Sequence, residues 1–410
     1  MSTFAAKSFD AAAYARARPT YPPQLFHHVL SALPALPTPT ATSHPKPRTL
    51  LDLGCGPGLS TFEWGPLLPN RFERVVGIDP SPGMITTARS ILADKQAKGE
   101  LGDGGKADWR FEVARSDELR GVVEDESVDL AIAGQAAHWF DAEKTYKELA
   151  RVLKPGGAFA FWGYGEFFFP DRPELSTLIS PYSSGTLGPY WEQPGRSIVE
   201  ALLTPIPFPT TATSLAHTSK PHDPSPRPST QLASSELPAH VKTPPPPEEA
   251  LKLARAFDDA SFKRLFFLRP NGGPPPLSAG AASAALRSNG AAASPVTSQP
   301  EIEVHRQLLL TREWDLAALR SYLLTWSAAH SFNAAHSSAR SNFQSGIATT
   351  DRTSSPVANG AELQRGREES TDKKDCTEVF CEGLRRAGLT DGEKVEVAWE
   401  LGVMVGRKRE

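Results

Sequence analysis

The sequence predicts an α/β protein built on an open, mostly parallel sheet with helices packed against its faces. Three observations carry this expectation. From Thr49 to Gly163, strand-like apolar runs alternate with helical patterns, as parallel strands joined by crossover helices require. The first of these runs ends in a glycine-rich turn. Near the C-terminus, Lys394–Leu401 and Val403–Arg407 are two strand-like runs with Gly402 between them, which suits an antiparallel C-terminal edge on such a sheet.

Composition bounds the core. With 410 residues there is room for two average domains or for one with large insertions. Apolar residues are 39 % of the chain while charged residues are an ordinary 22 %, and 38 prolines and 31 glycines point to long irregular stretches. A core of about 250–300 residues is expected. The net charge of −3 offers no basic footprint for nucleic acid. Three cysteines (Cys55, Cys376 and Cys381) cannot build a disulfide framework and suit a reducing compartment. No apolar run approaches the ~20 residues of a membrane span. The expected address is the cytosol and the expected state a monomer. The Ala- and Arg-rich N-terminus has some transit-peptide character, but its aromatic and proline pattern favours the reading given below.

In chain order, residues 1–48 form an N-terminal segment, helical at its start and broken at Pro19, Pro22 and Pro23, with a Pro/Thr-rich connector over 31–48. The core, 49–163, holds expected strands at Thr49–Leu53, Val75–Asp79, Trp109–Ala114, Val128–Ala133 and Ala158–Gly163. A helix from about Ala142 carries an apolar stripe through Leu149 and Leu153, and Lys154-Pro155-Gly156-Gly157 supplies the following turn. Residues 164–204 follow as a separate segment, then a Pro-rich insertion over 205–250. Residues 251–330 are expected as a helical cap interrupted by a low-complexity loop at 270–300. Within them Phe257, Phe262, Phe266 and Phe267 recur at mixed helical spacing. Leu316, Leu319, Leu323 and Trp326 share one helical face behind Asp315 as N-cap. A Ser/Asn/Thr-rich insertion fills 331–375, and 376–410 supplies a C-terminal helix closed by Gly388 and the edge strands. The three insertions bury too little apolar surface to offset chain entropy and are expected to be disordered, with partner binding through proline-rich motifs as a secondary use.

The chemistry begins at Leu51-Asp52-Leu53-Gly54-Cys55-Gly56-Pro57-Gly58, a buried strand running into a turn where backbone can approach a ligand closely. A nicotinamide-dinucleotide loop would place its third glycine at position 59, which is Leu. Taken alone, the turn could equally be a simple tight turn. The second strand ends at Asp79, where a carboxylate can accept both hydroxyls of a ribose, although Asp79 could instead cap the helix beginning near Pro82. Met84 opens that helix. After the third strand come Ser116 and Asp117, two short polar side chains at a strand end. The fourth strand leads into Gln135, His138 and Trp139 at the carboxyl end of the sheet, where open α/β sheets bind ligands. His138 could also be structural.

The order and spacing of these four motifs resemble class I S-adenosylmethionine-dependent methyltransferases, with a Rossmann-like sheet, over residues 49–163. The Ala-Ala-His-Trp-Phe segment, Phe-Ala-Phe-Trp-Gly at 159–163, Tyr190 to Arg196 and Leu323-Leu324-Thr325-Trp326-Ser327 narrow the resemblance. So does the N-terminal pattern of Phe9, Tyr14, Arg18-Pro19 and Tyr21-Pro22. Together they resemble fungal trans-aconitate methyltransferase-like proteins. The resemblance implies S-adenosylmethionine as cofactor, no metal, and a small-molecule acceptor. It implies that Gly54, Gly56 and Gly58 admit the methionine moiety, that Asp52 either orients their loop or accepts from the ammonium, that Asp79 serves the ribose, and that Met84 lies near the adenine, whose amine Ser116 or Asp117 would hold. Gln135 would lie near the sulfonium. Tyr14 and Tyr21 would belong to a lid, and Trp139, Trp191, Gln193, Arg196 and Trp326 to the acceptor pocket. The long insertions depart from the family pattern and bear on the shape of the acceptor entrance.

Methyl transfer from a sulfonium is an in-line displacement that needs alignment and exclusion of water. A carboxylate acceptor, which the resemblance implies, requires no general base because it is already ionised. It requires a donor to fix it, and Arg196 suits that role by its fork geometry, with His138 and Tyr164 as further donors. Arg196 could otherwise be a surface ion-pair residue. Were the acceptor a phenol, an amine or another hydrophobic molecule or lipid, His138 would be the natural base. A non-catalytic cofactor-binding protein acting through its Pro-rich insertions is the expectation from a different class.

Overall fold

Alternation at the centre of the sheet sets the two layers. In a computed structural model, residues 9–32, 47–64, 72–210, 248–277, 300–336 and 375–410 are described. The first five strands are β1 (Thr49–Leu53), β2 (Arg74–Asp79), β3 (Asp108–Val113), β4 (Val128–Gly134) and β5 (Leu153–Phe168). Leu50, Leu130, Ile132, Ala158, Ala160 and Trp162 pack on one face, whereas Leu51, Leu53, Ala131, Ala133, Phe159 and Phe161 pack on the other. This is the period of two that a strand buried on both faces must show. The first face is covered by α2 (Pro23–Ala32) through Leu25, Phe26 and Val29, which follows the shorter α1 (Ala11–Ala17). After α3 (Leu59–Glu63) and α4 (Pro82–Lys98) comes α5 (Ala142–Val152), which covers the second face through Tyr146, Leu149 and Val152.

All pairings among β1 to β5 are parallel, in the order β3-β2-β1-β4-β5. The strand order therefore reverses between β1 and β4, and their carboxyl ends open a crevice there. At the opposite ends, the Asp129 carboxylate accepts from the Thr49 amide at 2.8 Å and from the Lys154 ammonium at 2.7 Å. That shared carboxylate ties the starts of β1, β4 and β5 together. The turn expected at Lys154–Gly157 is an irregularity within β5, where the register to β4 shifts.

Beyond β5 the architecture departs from the sequence-based expectation. The sheet continues through β6 (Lys263–Phe267) and β7 (Glu301–His305), while β8 (Leu310–Trp314) pairs only with the final strand, β9 (Val395–Arg407). Residues 251–330 are thus not a helical cap. After α6 (Gly195–Glu200), helix α7 (Glu248–Ala256) precedes strands, and only α8 (Leu316–Leu323) and a helix at 327–336 are helical beyond them. Leu265 and Phe267 face one cluster while Phe266 faces another, so the Phe-rich island follows a strand period. Asp315 caps α8 by accepting from the Ala318 amide, as expected.

The C-terminal runs are one strand rather than an antiparallel pair, and that strand is not at the edge. β9, which follows α9 (Cys376–Arg386), runs antiparallel to β5, β6 and β8. Gly402 stays in register with Gly163 and Phe266. It is small because the Leu202 backbone crosses over it, and an added Cβ would press on the Leu202 carbonyl oxygen and stand 2.9 Å from the Leu202 Cβ.

That crossing also corrects the start of the Pro-rich insertion. Ile206 and Phe208 are buried, because Arg264 on β6 donates to the carbonyls of Leu203 (3.1 Å) and Ile206 (2.6 Å) and holds 202–208 against the sheet. Two further pieces of the stretches expected to be disordered are helical, 248–250 at the start of α7 and 331–336 in the helix at 327–336, while 211–247, 278–299 and 337–374, and 33–46 of the connector, lie outside the described residues. Among the described residues, no helix is long and apolar enough to cross a membrane.

Two glycines should respond with opposite sign. Gly402→Ala is expected to destabilise the fold by about 1–3 kcal/mol through overpacking. Gly383→Ala, in α9 with open space around it, should stabilise by about 0.5–1 kcal/mol. Urea midpoints of the two variants check both.

Candidate functional site

The crevice at the β1–β4 reversal is a cavity of about 320 Å³, within the roughly 300–1,000 Å³ of small-molecule sites. Its first wall is the glycine turn. Gly54, Gly56 and Gly58 adopt φ of +68°, +55° and +88°, a region that disfavours side chains. Gly54 and Gly56 face the cavity, and nothing lies within 4 Å of a Cβ built at Gly56, so this backbone offers an open cradle. Gly58 is not on the wall; it starts α3, and its missing Cβ makes room for the Phe62 ring.

Asp52 is also off the wall. It is fully buried, and its Oδ2 accepts from the hydroxyls of Ser60 (2.8 Å) and Thr61 (2.6 Å), joining the end of β1 to the start of α3. Its Oδ1 has no partner. Burial pushes the carboxyl up to about 7, against the downward pull of the Thr61 and Ser60 hydroxyls. Of the two roles open to it, holding the loop is the one its contacts serve.

Asp79 lies on the wall and holds the turn from the other side. Its Oδ2 accepts from the Gly56 amide at 3.0 Å and its Oδ1 from the Ser81 amide at 2.8 Å. Burial raises its pKa, and the Ser81 and Gly56 amides oppose that. Each oxygen keeps a lone pair for a ligand hydroxyl. The cap of α4 is Ser81, whose hydroxyl accepts from the Met84 amide, so Asp79 is not the helix cap. Met84, Ser116 and Asp117 complete this end. The Ser116 hydroxyl is 3.0 Å from that of Thr145, while Asp117 pairs with Arg115 at 2.8 Å.

At the other end, Gln135 sits at φ +54°, and its side-chain amide brackets Tyr164, accepting from the Tyr164 amide (2.8 Å) and donating to its carbonyl (3.1 Å). The left-handed turn thus locks the end of β4 to β5. His138, on the short turn Ala137–Trp139, lines the cavity with Nδ1 unpartnered. Desolvation, and then the Arg18 charge, lower its pKa to about 3, so the imidazole is neutral at physiological pH. Tyr14, Trp139, Trp191 and Trp326 also line the cavity. Gln193 does not; its Oε1 accepts from the Ser197 hydroxyl at 2.8 Å at the start of α6.

Arg196 lies on the wall, but its charge is already matched. Its Nε meets Glu200 at 2.7 Å, its NH2 meets Glu166 at 2.8 Å, and the guanidinium lies 4.3 Å from the Trp191 ring centroid. Two carboxylates leave it a poor clamp for a third. The basic residue that sequence reasoning did not assign to the site is Arg18, which also lines the cavity. Its NH1 donates to the Tyr164 hydroxyl at 3.0 Å and its NH2 to the Thr325 carbonyl at 3.1 Å. The signal that could have found it is the Tyr14-to-Arg18 spacing of one helical turn beside Pro19. Among the described residues, no group of three or more His, Cys, Asp or Glu side chains is placed to hold a metal ion.

Comparison with known proteins adds a family to this geometry. Residues 51–161 match the methyltransferase domain family. A "Probable S-adenosylmethionine-dependent methyltransferase" of Saccharomyces cerevisiae is 30 % identical over 196 residues, which are 47 % of this chain and 59 % of that protein. A trans-aconitate 2-methyltransferase of Variovorax paradoxus is 38 % identical over 166 residues, 40 % of this chain and 54 % of that protein. A solved structure of a proposed type II methyltransferase from Anaeromyxobacter dehalogenans aligns with a TM-score of 0.46 at 19 % identity, covering 95 % of this chain and 97 % of that one. The chain spans about half the length of the curated relatives it matches.

The buried Asp52 makes stability depend on pH. An unfolded aspartate has a pKa of about 3.9, so between about pH 4 and 7 the unfolded chain gives up a proton that the folded chain keeps. Stability is fully present below that window and falls as pH rises through it, by on the order of 4 kcal/mol from this group. Asp52→Asn is expected to remove that part of the decline, read as a smaller difference between denaturation midpoints at pH 5 and pH 7.5. Equal slopes in the two proteins would mean that Asp52 is ionised in the fold.

Proposed function

We propose that this chain, whose residues 51–161 are a methyltransferase domain of the class I type, uses S-adenosylmethionine to methylate a carboxylate of a small organic acid. The cofactor part of this reading is supported by the open cradle at Gly56, the lone pairs left on Asp79 and a cavity of matching scale. In it, Gly54 and Gly56 admit the methionine moiety, Asp79 binds the ribose, and Ser116 or Asp117 meets the adenine beside Met84. When bound, S-adenosylmethionine supplies an electrophilic methyl group, and displacement by a carboxylate oxygen returns the bond pair to sulfur with no proton moved.

The acceptor class rests on His138. It is the one imidazole lining the cavity among the described residues, and at a pKa of about 3 it is too weak to deprotonate a phenol or an ammonium efficiently. Among the lining carboxylates, Asp117, Asp141 and Glu166 are each in an ion pair and Asp79 accepts from the Gly56 and Ser81 amides, which places these four poorly as bases; Glu192 also lines the cavity. An acceptor that arrives already ionised needs no base. The similarity to trans-aconitate 2-methyltransferase supports the same class. His138 and Tyr164 orient, and the Trp139, Trp191 and Trp326 rings exclude water. Those same rings favour one second reading, a hydrophobic acceptor methylated on oxygen or nitrogen.

Two measurements test the proposal. Asp79→Ala should weaken S-adenosylhomocysteine binding by at least about tenfold in calorimetry, about 1.4 kcal/mol; unchanged affinity would reduce Asp79 to a brace for the glycine turn. Labelled methyl from S-adenosylmethionine should pass to members of a panel of di- and tricarboxylic acids and be released by mild base as methanol. Base-stable label on a phenol or amine would favour the hydrophobic acceptor. Binding with no transfer to any acid, phenol or amine would favour a non-catalytic protein.

A further inference from the structure

Arg18 is the one arginine on the cavity wall, among the described residues, with no carboxylate at ion-pair distance. Arg115 pairs with Asp117, and Arg196 with Glu166 and Glu200. Arg18 follows the last residue of α1 and caps that helix through its amide to the Tyr14 carbonyl. Two of its five N–H donors are used, on the Tyr164 hydroxyl and the Thr325 carbonyl; a third, on Nε, is buried with no acceptor. One hydrogen on each terminal nitrogen therefore remains for a ligand.

The groups around it are neutral. The guanidinium carbon lies 4.9 Å from the Tyr14 ring centroid and 5.4 Å from that of Tyr322. Burial holds both phenols above their ordinary pKa, so neither supplies a negative charge. Arg18 itself stays cationic at neutral pH, since a guanidinium keeps its proton even when desolvated. A partly buried cation among neutral rings is a standing electrostatic deficit that an anion relieves. His138, with its own unpartnered Nδ1, lines the same cavity close enough for the Arg18 charge to reach it. On its other side Arg18 lines a second cavity, shared with Arg16 and Arg312, whose wall holds one acid, Asp10. That carboxylate is already engaged in capping α1.

We propose that Arg18, rather than Arg196, is the cavity's carboxylate-binding residue, gripping a ligand carboxylate with its two free terminal N–H groups. This rests on the methyltransferase reading above. Two ligands carry that chemistry, the amino-acid end of the cofactor and an acidic acceptor. The test is calorimetry on the full chain with S-adenosylhomocysteine, with 5′-methylthioadenosine, which lacks the amino-acid end, and with propane-1,2,3-tricarboxylate added to the S-adenosylhomocysteine complex.

Arg18→Gln is expected to lose at least tenfold affinity for a carboxylate ligand, while Arg16→Gln, with the same charge change at an exposed position of α1, stays within twofold. Loss for S-adenosylhomocysteine with 5′-methylthioadenosine unchanged assigns the cofactor carboxylate. Loss confined to the tricarboxylate assigns the acceptor. Arg18→Gln with every affinity within twofold of wild type overturns the proposal while leaving the methyltransferase reading intact. Wild-type protein that binds none of the three overturns both. Should the Gln variant lack a melting transition, Arg18→Lys carries the test, since it keeps the charge but not the fork; wild-type affinity in it overturns the assignment of a two-point grip.

Discussion

The glycine turn after β1 keeps its shape because two carboxylates hold it from opposite sides, and the cavity depends on that grip. Asp52 binds the first hydroxyls of α3 from beneath the turn, and Asp79 binds the Gly56 amide from the neighbouring strand. Parallel strands place such side chains at one end of the sheet, so adjacent strand ends can cooperate on one loop. The costs differ with depth. Asp52, fully buried with an unpartnered oxygen, is forced towards its protonated form. Asp79 faces the cavity with two amide donors and lone pairs to spare. The buried acid builds the cradle, and the cavity-facing acid is left to meet what enters it.

The same logic separates the two arginines. Sequence position alone favoured Arg196, because it stands among aromatic and polar residues that suggested a pocket. Its partners are Glu200 one helical turn on and Glu166 on β5, and the second of these comes from a distant part of the chain. Arg18 sits at a helix end among prolines, where a solvated side chain would be an ordinary expectation. Its surroundings come from residues 164, 322 and 325, which only the folded chain assembles. A cation's usefulness to a ligand is set by what else neutralises it, and that is a non-local property.

Legibility followed the same boundary. β1 to β5 could be read because each is a short apolar run bounded by turn residues, and their alternation with helical patterns points to parallel pairing without distant information. Asp79, Met84, Gln135 and His138 could be placed because they lie within a few residues of those strand ends. Beyond β5 the signals mislead for physical reasons. Leu265 to Phe267 are apolar on both sides of a strand, a pattern that short windows do not separate from a buried helix. Gly402 looks like a turn but is a point of close backbone approach within one strand. Ile206 and Phe208 follow a proline and look like the start of a linker until Arg264 is seen to anchor their backbone.

Those distant pairings reach the site through the last strand. β9 is the common partner of β5, β6 and β8, so it joins segments that lie far apart along the chain. Loop-closure entropy grows only slowly with length, about 0.6 kcal/mol for each doubling, so long connections between such segments are tolerated once the strands pair. Its register sets Tyr164 opposite Leu401, and its Trp399 donates to the Tyr322 hydroxyl at 3.1 Å. Tyr164 and Tyr322 are two of the groups that fix the Arg18 guanidinium. The geometry of a residue eighteen positions from the N-terminus is thus imposed by residues near the other end. A change in β9 that preserved the sheet but shifted Trp399 would reach the cavity through that arginine before it touched the glycine turn.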